Sequence, residues 1–272
     1  MSIIITMIIE RSEVEDIKNI PRWILLFGRR KTGKTFLARN FLPHDEYFFV
    51  KTNKSIISEK DSKEVSYETF LEILRERVTT EKTIIIDEFH RLGTDFLDYL
   101  HYSEKKGKII LLSSTLSLSK HLLGSASPIL GLFAEVPLGI LQLKDVITAL
   151  KPYNLEKKAL LETAVLLREP ITIEYIKEVS QKNIREIIAE AVAQSLRAIP
   201  AMIGEVFNEE GRQTSAVYDE ILRAVAGGKT VSTEISSSLY SKKIIPKDNP
   251  SALQQYFKNL VDFGILKKIP VF

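Results

Sequence analysis

Cysteine is absent from the 272-residue chain. Disulfide staples, thiolate metal sites and thiol nucleophiles are thereby excluded, and this usage fits a reducing, cytoplasmic compartment. Histidine is scarce, at four residues, and no two fall at a metal-ligand spacing, so His90 and His101 are read as structural. A dominant charge is also missing. The 38 Lys and Arg against 35 Asp and Glu leave a formal +3, too slight to announce a nucleic-acid partner, so any basic surface has to be local. The apolar start, Ile3 to Ile9, lacks a basic leader and runs into Glu10-Arg11-Ser12-Glu13. It is read as neither signal peptide nor membrane span, and a buried strand or pocket wall is expected there. No internal repeat and no low-complexity tract occurs. What is present is a soluble globular composition, 44% hydrophobic and 27% charged, on a chain too long for one core and expected to form two or three units. Isoleucine, lysine and glutamate are plentiful, a balance seen in proteins from hot environments.

One segment carries a specific chemistry. Gly28-Arg29-Arg30-Lys31-Thr32-Gly33-Lys34-Thr35 follows the apolar run Trp23 to Phe27 and leads into a helix-like stretch from Thr35 and Phe36. The pattern G-x-x-x-x-G-K-S/T between a strand and a helix binds a nucleoside triphosphate. Its glycines let the backbone curl until successive N–H groups point inward, and that concavity on a helix N-terminus suits phosphate oxygens. Lys34 is expected to reach the β- and γ-phosphates and the Thr35 hydroxyl to ligate Mg²⁺, with the residues from Gly28 to Phe36 forming the cradle.

Strands are expected at Trp23 to Phe27, Tyr47 to Val50, Thr83 to Ile86, Lys108 to Leu112 and Phe133 to Val136, with helices at Thr35 to Phe41, from the cap Ser66 through Val78, and at Phe96 to Tyr102. The polar, lysine-rich stretch Lys51 to Lys63 is expected to be an exposed loop. The alternation predicts an α/β P-loop NTPase core, a parallel sheet flanked by helices, over residues 1–140. Helix then follows helix over 141–215, including Leu155 to Leu167, Thr172 to Val179 and Ile184 to Leu196. Residues 216–272 run helix, Gly227-Gly228, helix from Ser232, a loop with Pro246 and Pro250, and a helix from Ser251. That order resembles a winged helix-turn-helix.

Asp87-Glu88 closes the third strand, where a phosphate-loop enzyme needs two carboxylates with different tasks. Asp87 is expected to join the Mg²⁺ shell opposite Thr35, and Glu88 to polarise a water for in-line attack on the γ-phosphate. If the sheet has the order usual for such ATPases, the strand ending at Ser113 and Ser114 lies between the strands of the other two motifs, where the Ser114 hydroxyl either touches the γ-phosphate or attacking water or merely caps a turn. Arg29, Arg30, Arg39 and Arg91 are candidates for the arginine that a transferring phosphoryl group requires.

With these motifs in view, the chain resembles the archaeal ATPase family, within the signal-transduction branch of AAA+-like P-loop ATPases. The resemblance is carried by the phosphate loop, Asp87-Glu88-Phe89-His90-Arg91-Leu92 and Ser113-Ser114-Thr115-Leu116-Ser117-Leu118. It extends through Arg11-Ser12-Glu13-Val14-Glu15, Ser125-Ala126-Ser127-Pro128-Ile129-Leu130-Gly131 and Ile199-Pro200-Ala201. It implies ATP or ADP as the nucleotide, with Ile9, Arg11 and Pro200 bordering the adenine, and a helical linker followed by a winged helix. Two positions depart from the family pattern. Leu132 stands where an arginine is common, and Arg197-Ala198 replaces a glycine pair.

In the last helix Gln254, Gln255, Lys258 and Asn259 are expected to face outward, and Lys242, Lys243, Lys247, Lys267 and Lys268 flank it, so duplex DNA and a protein partner are both open as its target. The expected function is an Mg²⁺-dependent ATPase acting as a nucleotide-driven switch. The alternative is a nucleotide-gated interaction module with negligible turnover, which the two departures favour. A replication-initiator relative is disfavoured by the lack of a second sensor arginine motif in the helical region, and a small-molecule kinase by the lack of a lid arginine series.

Overall fold

The structure, a computed structural model, describes residues 7–60, 62–114, 129, 131–175, 186, 189, 193, 198–209 and 215–269. It divides into two compact units, residues 1–199 and 200–272.

The first unit is organised by β1 (Trp23–Phe27), whose first four residues are buried. Successive strand side chains point to opposite faces, so an unbroken apolar strand needs cover on both. Trp23 and Leu25 join Phe48, Val50, Ile84, Ile86, Ile109 and Leu111 in one core, roofed by α3 (Tyr67–Val78) and α4 (Thr94–Tyr102). Ile24 and Leu26 face the other way, with Tyr47, Ile85, Ile110 and Leu112, onto α1 (Glu13–Lys18) and α2 (Lys34–Phe41). The remaining parallel strands are β2 (Glu46–Val50), β5 (Thr83–Asp87), β6 (Lys108–Ser113) and β7 (Phe133–Pro137).

Between β2 and α3 lie two short strands, β3 (Ile56–Ser58) and β4 (Lys63–Val65), and the full sheet order is β4-β3-β2-β5-β6-β1-β7. The chain leaves β1 for the far side, returns through β5 and β6, and crosses to β7. That reversal puts the carboxyl ends of β1, β5 and β6 around one crevice, where open α/β sheets bind ligands. The hairpin of β3 and β4 corrects the expectation of a loop over Lys51 to Lys63. Lys51 N–H donates to Ser55 O at 2.8 Å, Lys54 turns the chain at φ 67°, and Ile56 is buried while Ile57 is not. Three-residue strands with so few apolar side chains leave no readable period.

Ser66 caps α3 by accepting from Thr69 N–H at 3.1 Å, as expected for a serine ahead of the helical pattern. Beyond the sheet, α5 (Leu143–Leu150), α6 (Lys157–Leu167) and α7 (Pro170–Tyr175) form a helical cluster. Their core of Leu141, Val146, Leu150, Ala164 and Leu167 includes Ile9, so part of the apolar start does serve as a buried wall. Residues 115–128 and 176–185 fall outside the described residues, and with them Ser125 to Pro128 and most of the helix expected from Ile184.

The second unit contains all but the first two residues of α8 (Ala198–Glu209), with α9 (Ala216–Ala226), α10 (Ser232–Ser241), a 3₁₀ turn at Pro250–Leu253 and α11 (Gln254–Asp262). Phe207 sits at its centre, with ring centroids 4.7 Å from Tyr218 and 5.1 Å from Phe263. Gln254, Gln255 and Lys258 are exposed as expected, whereas Asn259 is buried, its amide donating to Tyr218 OH at 2.6 Å. An amide with a partner inside the core is not available to a ligand. No strand occurs among the described residues of this unit, including those after Gly264. No helix among the described residues is long and apolar enough to cross a membrane.

The fully buried Phe70 packs edge-on against Phe48 at 5.0 Å and tilted against Phe96 at 6.0 Å. Phe70→Ala is expected to lower unfolding stability by about 3–5 kcal/mol, read from the urea midpoint. Tyr102→Ala on the exposed side of α4 is expected to change it by less than about 0.5 kcal/mol.

Candidate functional site

The loop between β1 and α2 is held tightly. Gly28 N–H donates to Ser113 O at 3.3 Å, and a Cβ on Gly28 would lie 2.1 Å from the carbonyl oxygen of Leu138, so only glycine fits there. Gly33 turns into α2 with a left-handed φ of 86°. Lys34, almost fully buried, donates its ammonium to Gly28 O at 2.8 Å and Arg29 O at 2.9 Å, and Thr32 Oγ1 donates to Arg29 O at 2.8 Å. The loop therefore closes on its own lysine.

Arg11 braces this loop from the side. Its Nη2 donates to Thr32 O at 2.6 Å and to Gly139 O at 2.9 Å, joining the N-terminal segment, the phosphate loop and the chain beyond β7. Burial lowers the guanidinium pKa, and Glu13 and Asp145 oppose that shift. Asp145 on α5 also accepts from Ser12 N–H at 3.1 Å and Ser12 Oγ at 3.2 Å. Arg29 reaches the turn between α6 and α7 of the helical cluster as an ion pair with Glu169.

Asp87, at the end of β5 and 1% exposed, accepts on Oδ2 from Thr35 Oγ1 at 2.7 Å and from Tyr47 OH at 2.5 Å. Its Oδ1 is buried and makes no hydrogen bond. A buried carboxylate oxygen without a donor carries a large desolvation cost. A divalent cation beside Thr35 would relieve that cost, so the donor set fits Mg²⁺. Mg²⁺ at such sites is commonly held by one or two protein oxygens and completed by phosphate and water.

Glu88 follows in a left-handed conformation, φ 56°, which swings its side chain off the strand direction. Ser114 Oγ donates to Glu88 Oε2 at 2.8 Å, and His90 Nδ1 lies 3.3 Å from the same oxygen and 3.2 Å from Ser113 Oγ. The strand carrying these serines, β6, pairs with β1 on one side and β5 on the other, as its motif requires. His90, read from sequence as merely structural, instead joins this cluster. The 3₁₀ turn Phe89–Arg91 folds it back onto Glu88, and a three-residue turn leaves no periodic signal. Tyr47 was legible as a strand residue, but nothing in its neighbours tells that its hydroxyl meets Asp87.

Glu88 and Ser114 border a cleft of about 640 Å³ that Arg30 through Phe36 and Arg91 also line. Ile9 and Arg11 line it as expected, beside Met7 and Ile8. Pro170, Ile171 and Ile173 of α7 add an apolar wall that sequence reading missed, because a six-residue helix shows too little of a period. Pro200 belongs to the second unit, and its side chain, like Arg197, lies outside the described residues. Leu132 packs beside the β-sheet core that holds Trp23 and Phe133, so position 132 supplies no charge to the cleft.

The family model of the AAA domain matches residues 21–137, from just before β1 to the end of β7. Among solved structures, the chain is similar to a Walker-type ATPase of Pyrococcus abyssi, with 19% identity, 94% of this chain and 90% of that one covered, and a TM-score of 0.64. It is also similar to the ORC2 protein of Aeropyrum pernix, solved as ADPNP–ADP complexes, with 12% identity, 95% and 84% covered, and a TM-score of 0.57. At these identities the likeness shows a shared fold. A search of curated proteins gave no match.

Gly28→Ala tests the loop packing without any ligand. The clash with Leu138 is between backbone and Cβ and cannot be relieved by a rotamer, so the variant is expected to lose about 1–3 kcal/mol of stability in urea unfolding, whereas Gly93→Ala, with open space around the added Cβ, is expected to stay near wild type.

Proposed function

We propose that this chain, whose residues 21–137 form an AAA-type P-loop ATPase domain, is an Mg²⁺-dependent ATPase that works as a nucleotide-driven switch. One observation carries the reading: Thr35 and Asp87 are joined at 2.7 Å while Asp87 Oδ1 is left buried and without a donor. Two oxygens are thus prepared for one cation beside a phosphate loop. Thr35 Oγ1 and Asp87 would hold Mg²⁺, which when bound neutralises charge on the β- and γ-phosphate oxygens. The loop N–H groups and Lys34 bind the phosphates, for which Lys34 exchanges its carbonyl partners for phosphate oxygens. Glu88 orients and deprotonates the attacking water, with Ser114 and His90 fixing which way its carboxylate faces. Arg30, Arg39 and Arg91 line the cleft and are the candidates to meet developing charge.

Adenine is assigned to the apolar side of the cleft, between Ile9 and the wall of Ile171 and Ile173. The helical cluster touches the loop through Arg29 and Glu169, and this supports a change in the helices as the phosphates come and go. The helices after residue 216 are the output, directed at duplex DNA or a protein through the exposed Gln254, Gln255 and Lys258. The second reading, a module that holds nucleotide and turns it over negligibly, is favoured by Leu132, which leaves the expected arginine position apolar.

Lys34→Ala is expected to abolish phosphate release. Glu88→Gln is expected to slow it by about 100-fold or more while ATP still binds. Equal turnover in the wild type and both variants would refute the enzymatic reading, and retained nucleotide with no phosphate release in the wild type would establish the second. Duplex DNA, if it is the target, is expected to alter the ATPase rate at low salt and lose that effect steeply as salt rises.

A further inference from the structure

We infer that Tyr47 is a positioning residue for Mg²⁺, fixing the Asp87 carboxylate so that Oδ1 alone is presented to the cation. The inference rests on the proposed Mg²⁺–ATP reading and names a residue that neither the phosphate-loop pattern nor the Asp-Glu pair contains.

Tyr47 lies on β2, 2% exposed, one strand away from Asp87. Its hydroxyl donates to Asp87 Oδ2 at 2.5 Å, and Thr35 Oγ1 donates to the same oxygen at 2.7 Å. A carboxylate oxygen has two lone-pair sites, so two donors saturate Oδ2. Oδ1 is left as the acceptor without a hydrogen bond, although buried. With Thr35 as the only donor, the carboxylate could rotate about its Cβ–Cγ bond while keeping one contact. A second donor from another strand fixes its plane. Thr35 then keeps its proton on Oδ2 and its lone pairs for the cation.

The ring of Tyr47 is itself held in place. The guanidinium of Arg39, on the helix that begins with Lys34, sits 4.6 Å from the ring centroid, and the ring of His44 lies 5.9 Å away. A phenol is protonated at neutral pH, so the hydroxyl donates to Oδ2. Groups behind metal ligands that fix their orientation commonly set metal affinity by a factor of about 10 or more.

The test is calorimetric titration of ATP into the full chain, first with EDTA and then over a graded series of Mg²⁺ concentrations, for wild type, Tyr47→Phe, Asp87→Asn and the double variant. Tyr47→Phe is expected to bind ATP as wild type does in EDTA and to need about 10-fold more Mg²⁺ for half of the Mg²⁺-dependent tightening. In the Asp87→Asn background the same change is expected to add little, because the two residues act through one contact. An unchanged Mg²⁺ midpoint in Tyr47→Phe overturns the inference, as does an equal loss of ATP affinity with and without Mg²⁺, which marks general damage to the fold. Wild-type ATP binding that ignores Mg²⁺ fails the Mg²⁺–ATP reading itself, and the inference with it.

Discussion

The hydrogen bond from Thr35 to Asp87 joins two pieces of chain that meet only because of the strand order. Thr35 opens the helix after β1 and Asp87 ends β5, and β6 lies between those strands. Were β5 next to β1, or β6 at an edge, the loop and the acid would face each other at a different distance, and Ser114 would not reach Glu88. The placement of β6 between β1 and β5 is therefore the condition for both of these contacts, and the chain then crosses β1 to reach β7. The same crossover brings Leu138 against Gly28, so the phosphate loop is shaped by the strand on its far side as well.

Both faces of the sheet contribute to this placement. The alternation of Ile24 and Leu26 toward α1 and α2, with Trp23 and Leu25 toward α3 and α4, fixes β1 in depth and register. A one-residue slip would turn the whole strand over, and the loop that follows would leave β1 pointing away from Asp87. Arg11 adds a polar constraint on top of the apolar one, tying Thr32 to Gly139.

Much of this was legible in sequence for identifiable reasons. The phosphate loop, Asp87 and Glu88 could be read because each is a short stretch of specific residue types at the end of an apolar strand. Strands β1, β5 and β6 could be read because four or five consecutive buried residues, nearly all apolar, leave an unbroken run. The β3 and β4 hairpin, the wall at Ile171 and Ile173 and the return of His90 onto Glu88 could not, since each depends on a segment shorter than the period that would reveal it. Tyr47 and Asn259 show a further limit. The Tyr47 hydroxyl and the Asn259 amide nitrogen meet partners far along the chain, Asp87 and Tyr218, and no local pattern states which distant group a buried donor will meet.

The ammonium of Lys34, held by the carbonyls of Gly28 and Arg29, has a consequence for selectivity. Because the loop already supplies two acceptors to its own cation, an incoming anion gains nothing by merely being an acceptor. It has to offer more charge than a pair of amide dipoles, and offer it where the loop N–H groups also converge. A carboxylate or a single weakly charged oxygen meets only one of those demands, whereas a polyphosphate meets both along its length. A loop closed on its own lysine in this way favours a ligand of high charge density.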